Sequence, residues 1–144
     1  MRAFNLFLSA GLLLAFAMTG TSQTSPVGLW KTVDDETGEE KSYVEIFERN
    51  GKLYGKVTRL LLKPADTVCD QCPGDKKNKP LIGMEILWNL EPYKDYWSYG
   101  YILDPVKGKT YKCSIWLENK DELKLRGYIG VSAVGRTQTW KRVR

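Results

Sequence analysis

The 144-residue chain contains no histidine. That absence removes imidazole general bases, Ser-His-Asp and Cys-His nucleophile pairs, and every His-bearing zinc site. With three cysteines in all, a four-thiolate zinc site is excluded as well. The longest apolar run, Leu6 to Met18, is thirteen residues, whereas a membrane-spanning helix needs about 20. A dense basic stripe is also missing. The 22 Lys and Arg are spread among 17 Asp and Glu, which argues against a nucleic-acid partner. No stretch keeps a long helical period, and no pair of carboxylates is forced together by strand spacing. Glu36, Glu39 and Glu40 fall in a turn and read as solvated, and Asp34-Asp35 reads as a turn cap or a loose calcium ligand, though no oxygen-ligand loop of known spacing follows. An enzyme is therefore not expected, and neither is a metal or cofactor.

What is present falls into two parts. Met1-Arg2 supplies a short positive start, the apolar run follows, and Thr19-Gly20-Thr21-Ser22 is small or hydroxylic. This pattern predicts a secretory signal peptide over 1–22, cut somewhere in 19–23, and no stable membrane insertion. The rest, 23–144, is long enough for one domain. Its expected place is the periplasm or the exterior, where disulfides persist.

Cys69-Asp70-Gln71-Cys72 is followed by Pro73-Gly74 within a stretch rich in Pro, Gly, Asp and Lys. Three readings apply: a disulfide pinning a long loop, two thiolate ligands of a metal, or a redox pair. The disulfide is the expectation. Nothing completes a tetrahedral metal site, and Pro-Gly stands where a redox pair needs a helix N-terminus to stabilise its thiolate. Cys113 shares a strand face with Tyr111, Ile115 and Leu117, and reads as a free, buried thiol, with a bridge into the Cys69/Cys72 loop as the alternative.

The domain reads almost entirely as strands. Val27–Val33, Ser42–Glu48, Leu53–Leu61, Asp95–Leu103, Lys109–Glu118, Glu122–Ile129 and Gly135–Val143 are β-rich, and Gly83–Leu90 fits either a strand or a short helix stopped by Pro92. Asn50-Gly51 between two such runs is a strong hairpin signal, because both residues tolerate positive φ. Asp104-Pro105-Val106-Lys107-Gly108 marks another turn. Seven or eight consecutive hairpin-linked strands predict an all-β fold, a small antiparallel up-and-down barrel that closes on itself and leaves no edge.

Gly28-Leu29-Trp30 resembles the Gly-x-Trp opening of lipocalins and their calycin relatives. In those folds a basic residue of the last strand packs over the Trp and closes one end. The resemblance implies that role for Trp30 with Arg136 or Arg142. More of the chain, from about Pro26 to Arg144, is similar to a family of exported bacterial proteins of unknown function. The matching pieces include Cys69/Cys72 with Gly74, Gly83 with Leu87, Asp104-Pro105 with Gly108, Leu125-Arg126-Gly127-Tyr128 and Gly135-Arg136-Thr137-Gln138-Thr139-Trp140. This likeness implies a lipocalin-like barrel and export. It brings no catalytic residue.

One parity of each strand must line the interior. The lining set expected from the apolar pattern is Tyr43, Phe47, Val57, Trp97, Tyr99, Tyr101, Tyr111, Ile115 and Leu125, although Val44 and Ile46 argue for the opposite face of their strand. An eight-strand interior is filled by side chains or holds one small ligand. The leading expectation is a carrier of a small apolar molecule such as a fatty acid. The alternatives are an envelope interaction module using the Cys69/Cys72 loop, and a thiol redox protein.

Overall fold

The structure, a computed structural model, describes Gly11, residues 25–131 and residues 134–144. The expected signal peptide over 1–22 lies outside the described residues, Gly11 aside. Eight strands follow one another: β1 (Gly28–Val33), β2 (Glu40–Arg49), β3 (Lys52–Leu60), β4 (Glu85–Tyr93), β5 (Tyr96–Asp104), β6 (Lys109–Asn119), β7 (Glu122–Tyr128) and β8 (Gly135–Arg142). Each pairs antiparallel with the next, and β1 also pairs with β8 through Trp30↔Arg142 and Lys31↔Lys141. The sheet is thus a closed barrel with no free edge.

Turn chemistry sets the hairpins. Asn50 (φ 54°) and Gly51 (φ 79°) form the predicted β2–β3 turn. Asp104 holds the β5–β6 turn by accepting from the N–H groups of Val106 and Lys107 at 2.9 and 3.3 Å. The ambiguous segment resolves as strand β4, which runs through Pro92 to Tyr93 rather than stopping, with Pro92 opposite Trp97 and Tyr93 opposite Tyr96 beside the β4–β5 turn.

Two irregularities decide which residues face inward. Asn89 (φ 60°) and Tyr99 (φ 61°) each add a residue to their strand, so Leu87 and Leu90 are both buried on β4, and Trp97 and Gly100 pair with inward Ile115 and Cys113 on β5. Gly100 must be small: a Cβ there would lie 2.5 Å from Leu90 Cγ. Tyr99 and Tyr101 are therefore turned outward, 59% and 37% exposed, against the expectation that they line the interior. Tyr43 and Phe47 are corrected likewise. Val44 and Ile46 are fully buried, while Tyr43 lies outside under Arg59 and Lys31, and Phe47 stacks on Tyr54 at 5.9 Å beneath Lys56. Flat aromatic rings suit the half-exposed outer wall, where the stems and charges of Lys and Arg cover them.

One end of the barrel is plugged. The Arg142 guanidinium lies 4.3 Å from the Trp30 ring centroid and donates to three carbonyl oxygens, of Lys120 (2.6 Å), Val27 (3.1 Å) and Ser25 (3.1 Å). The Trp30 indole N–H donates to Pro26 O at 2.8 Å. Gly28 (φ 144°) makes room, since a Cβ there would meet Arg142 Nη1 at 2.5 Å. Arg136 does not share this role. It sits six positions away on the same face of β8, which at the strand rise is about 20 Å, and so lies at the opposite end. We expect Arg142→Ala to lower stability by about 2 kcal/mol, and Arg142→Lys to restore less than half of it, because an ammonium cannot fork to three carbonyls. Urea denaturation measures both, and a loss under about 0.5 kcal/mol would show that the plug does not hold the end shut.

Candidate functional site

Alternate residues of β8 trace the barrel axis. Arg142 caps the plugged end, Trp140 is buried above it, Gln138 lines the wall, and Arg136 stands at the rim. Above Trp140 the interior opens into a cavity of about 610 Å³, within the range of about 300–1,000 Å³ that holds small molecules. Its apolar wall comes from Val57, Leu60, Leu81, Ile102, Leu125 and Trp140. Gly127 is part of this wall, and a Cβ there would make ordinary contacts with Ile102 Cγ2 and Tyr111 Cβ at 3.6 Å and with Lys112 O at 4.0 Å. Polar side chains in the wall pair with one another. Thr32 Oγ1 and Ser42 Oγ share a hydrogen bond of 2.7 Å, and the Trp140 indole N–H donates to Gln138 Oε1 at 3.3 Å. The depth of the cavity therefore asks for apolar surface and few hydrogen bonds.

Charge gathers at the mouth. Arg136 Nη2 binds Asp35 Oδ2 (2.5 Å) and Glu36 Oε1 (3.0 Å), and Lys41 Nζ approaches Asp34 Oδ2 at 3.8 Å. The carboxylate hydrogen bond raises the Arg136 pKa further above its ordinary value. The Asp34 carboxylate is held below its ordinary range by the backbone N–H of Thr37 and then of Glu36, at 3.0 and 2.9 Å. This turn is the cap predicted for Asp34.

Of the nine residues expected to line the interior, Val57, Tyr111 and Leu125 do so. Ile115 is fully buried in the core without reaching the cavity, and Trp97 packs, half-buried, against that core. Tyr43, Phe47, Tyr99 and Tyr101 are outside. The sequence reading missed Gln138 and Trp140, whose period-two spacing with Arg136 and Arg142 was the available signal, and it missed Gly127 because a glycine carries no apolar mark.

Cys69 and Cys72 are disulfide-bonded, with Cα atoms 5.4 Å apart, in the connection between β3 and β4. The bridged segment folds as a miniature hairpin. Cys69 N–H donates to Lys79 O (2.8 Å) and Asn78 N–H to Cys69 O (2.7 Å). It is pressed against the β5–β6 turn, where a Cβ on Gly108 (φ 66°) would overlap the Gln71 carbonyl. Lys76 ties it to the wall by donating to Glu85 O at 2.9 Å over the Trp88 ring. Both cysteines are buried, which withholds the sulfurs from thiol exchange and counts against the redox reading. Cys113 is free and fully buried, and burial pushes its thiol pKa far up. Among the described residues no group of three or more His, Cys, Asp or Glu could hold a metal ion, and no helix is long and apolar enough to cross a membrane.

The geometry has a counterpart in known proteins. Residues 28–142 match the family described as uncharacterized protein conserved in bacteria, DUF2147. The chain belongs to that family. No curated protein sequence matches it. Among solved structures it is similar to protein HP1028 from the human pathogen Helicobacter pylori, described as belonging to the lipocalin family. The TM-score is 0.75 at 23% identity, over 84% of each chain. The DUF2147 chain thus has a lipocalin-like barrel.

Two outcomes check this site. Ellman's reagent should find no reactive thiol in the folded protein and one after unfolding without reductant; a fast-reacting native thiol would contradict the burial of Cys113 and the Cys69–Cys72 bond. Because the folded-state pKa of Asp34 is depressed, its contribution to the β1–β2 loop is complete above the ordinary carboxylate pKa of about 3.9 and is lost as pH falls through the lower, folded value. Carbon-13 shifts of Asp34 should titrate with a midpoint below that of an ordinary aspartate, and a midpoint at or above it would show that the turn N–H groups do not hold the carboxylate.

Proposed function

We propose that this DUF2147 protein is an exported, non-enzymatic carrier that holds a small apolar molecule, a fatty acid or another lipid-like compound, inside its barrel. The observation that carries this reading is the cavity of about 610 Å³, plugged below by Trp30 and Arg142, with Val57, Leu60, Leu81, Ile102 and Leu125 in its wall and its charged side chains gathered at the mouth. The mouth suits the polar end of such a ligand. Arg136 and Lys41 stand there, and either can exchange its Asp or Glu partner for a ligand carboxylate. Export and a periplasmic location are supported by the leader pattern of residues 1–22 and by a disulfide that persists in an oxidising compartment.

Organic extraction and mass spectrometry of the purified protein should release a bound lipid-like compound, and a fluorescent fatty-acid probe should enter the emptied barrel. Gly127→Leu places an isobutyl group into the cavity from a position with ordinary backbone and ordinary contacts. Probe affinity should then fall about tenfold or more, while the unfolding midpoint stays the same or rises. An empty extract with no probe uptake would overturn the carrier reading.

A further inference from the structure

The barrel's two ends differ in what they show to solvent. At the plugged end the hairpin turns are Asn50-Gly51, Lys94-Asp95 and Lys120-Asp121, all polar. Seven of the ten exposed large hydrophobic side chains among the described residues fall on the connections at the other end: Leu62, Val68 and Ile82 between β3 and β4, Val106 between β5 and β6, and Ile129, Val131 and Val134 between β7 and β8. Scattered exposed apolar residues need no explanation, but a concentration at one end does. Leu62, Val106, Ile129 and Val134 also border the cavity opening, at 55–67% exposure. The apolar rim is therefore continuous with the apolar interior.

We propose that this rim seats the protein on an anionic lipid surface, mouth down, so that the cavity opens directly onto the acyl layer. The inference rests on the carrier reading for its purpose, though not for its geometry. Charge favours lipid over a protein partner. Lys63 directly follows Leu62, and Lys107 directly follows Val106; neither forms an ion pair among the described residues. A lysine beside these two tips can extend its ammonium to headgroup phosphates while its stem stays with the apolar layer. The connection between β7 and β8, residues 129–134, has no charged residue at all. The fourth connection at this end carries Asp34, Asp35, Glu36 and Glu39; Lys41 and Arg136 pair with the first three, and the connection keeps a net negative charge, so it is the part of the rim held away from the anionic surface. The remaining wall does not enter the bilayer. Arg49–Glu85 and Lys52–Glu91 ion pairs cross its outer surface, where a membrane-spanning barrel needs an unbroken apolar band. The contact is thus peripheral and limited to loop tips.

Flotation with vesicles of phosphatidylcholine and phosphatidylglycerol tests this. The full protein should float with the vesicles. The triple variant Leu62→Ser, Val106→Ser, Ile129→Ser should float about tenfold less, since affinity follows the apolar area inserted. Val106→Trp, on an exposed turn that the change cannot crowd, should float several-fold more. No flotation, flotation indifferent to both variants, or a concentration-dependent dimer that the triple variant dissolves would each overturn the proposal, the last by assigning the rim to a second copy. Fatty-acid probe uptake by the unsubstituted protein in vesicle-free solution separates the two claims. Uptake without flotation leaves the carrier and removes the docking, whereas flotation without uptake does the reverse.

Discussion

The Arg142–Trp30 contact is the constraint on which the rest of the structure turns. Closing a sheet into a barrel removes its edges but leaves two open ends, and an eight-strand interior has little volume to spare. Here one guanidinium covers one indole, donates to carbonyls of the β6–β7 turn and of the segment before β1, and needs Gly28 to be bare. Burial lowers the pKa of this arginine below its ordinary value, yet a guanidinium keeps its charge in any protein setting. With that end occupied, the cavity lies above Trp140.

The plugged half is packed to its limit. Gly55 and Gly100 face inward there, and their missing side chains are replaced by Leu87, Val44 and Leu90 at 2.5–3.1 Å from where a Cβ would stand. Gly127, by contrast, lines the cavity, and a Cβ there would meet its neighbours no closer than 3.6 Å. The two halves of one small barrel therefore divide the work of stability and of accommodation. The disulfide loop adds a third part, stapled to itself and braced on the β5–β6 turn and the Trp88 face rather than plugged into the interior.

Much of the architecture was legible in the residues. Asn50-Gly51 and Asp104–Gly108 announced their turns because left-handed backbone and side-chain acceptors are properties of those residue types. Cys69 and Cys72 announced their bond through the absence of any partner for a different chemistry. Trp30 with Arg142 was legible as a choice between two arginines, and the strand rise decides it. The lining was much less legible. Asn89 and Tyr99 shift register with positive φ at residues that carry no glycine signal, and one such shift sends every following side chain to the other face. On β2 the aromatic pair Tyr43 and Phe47 outweighed Val44 and Ile46 in the apolar count, although branched aliphatic side chains fit a narrow interior better than rings do. The apolar rim was invisible for another reason: Val106 and Ile129 sit in turns, where apolarity has no period to follow.

The order of strands around the barrel has a consequence for how the chain acquires its shape. Every strand pair but one joins neighbours in sequence, so each hairpin can form as soon as its two arms exist. The exception is the seam between β1 and β8, which links residues more than a hundred positions apart and bears the whole entropic cost of bringing distant ends together. Until β8 arrives, β1 presents an unpaired edge, and an intermediate of seven curled strands is a template for pairing with its own kind. Topology thus makes the seam the costliest contact to form, and the same arginine that shuts the bottom of the barrel lies on it.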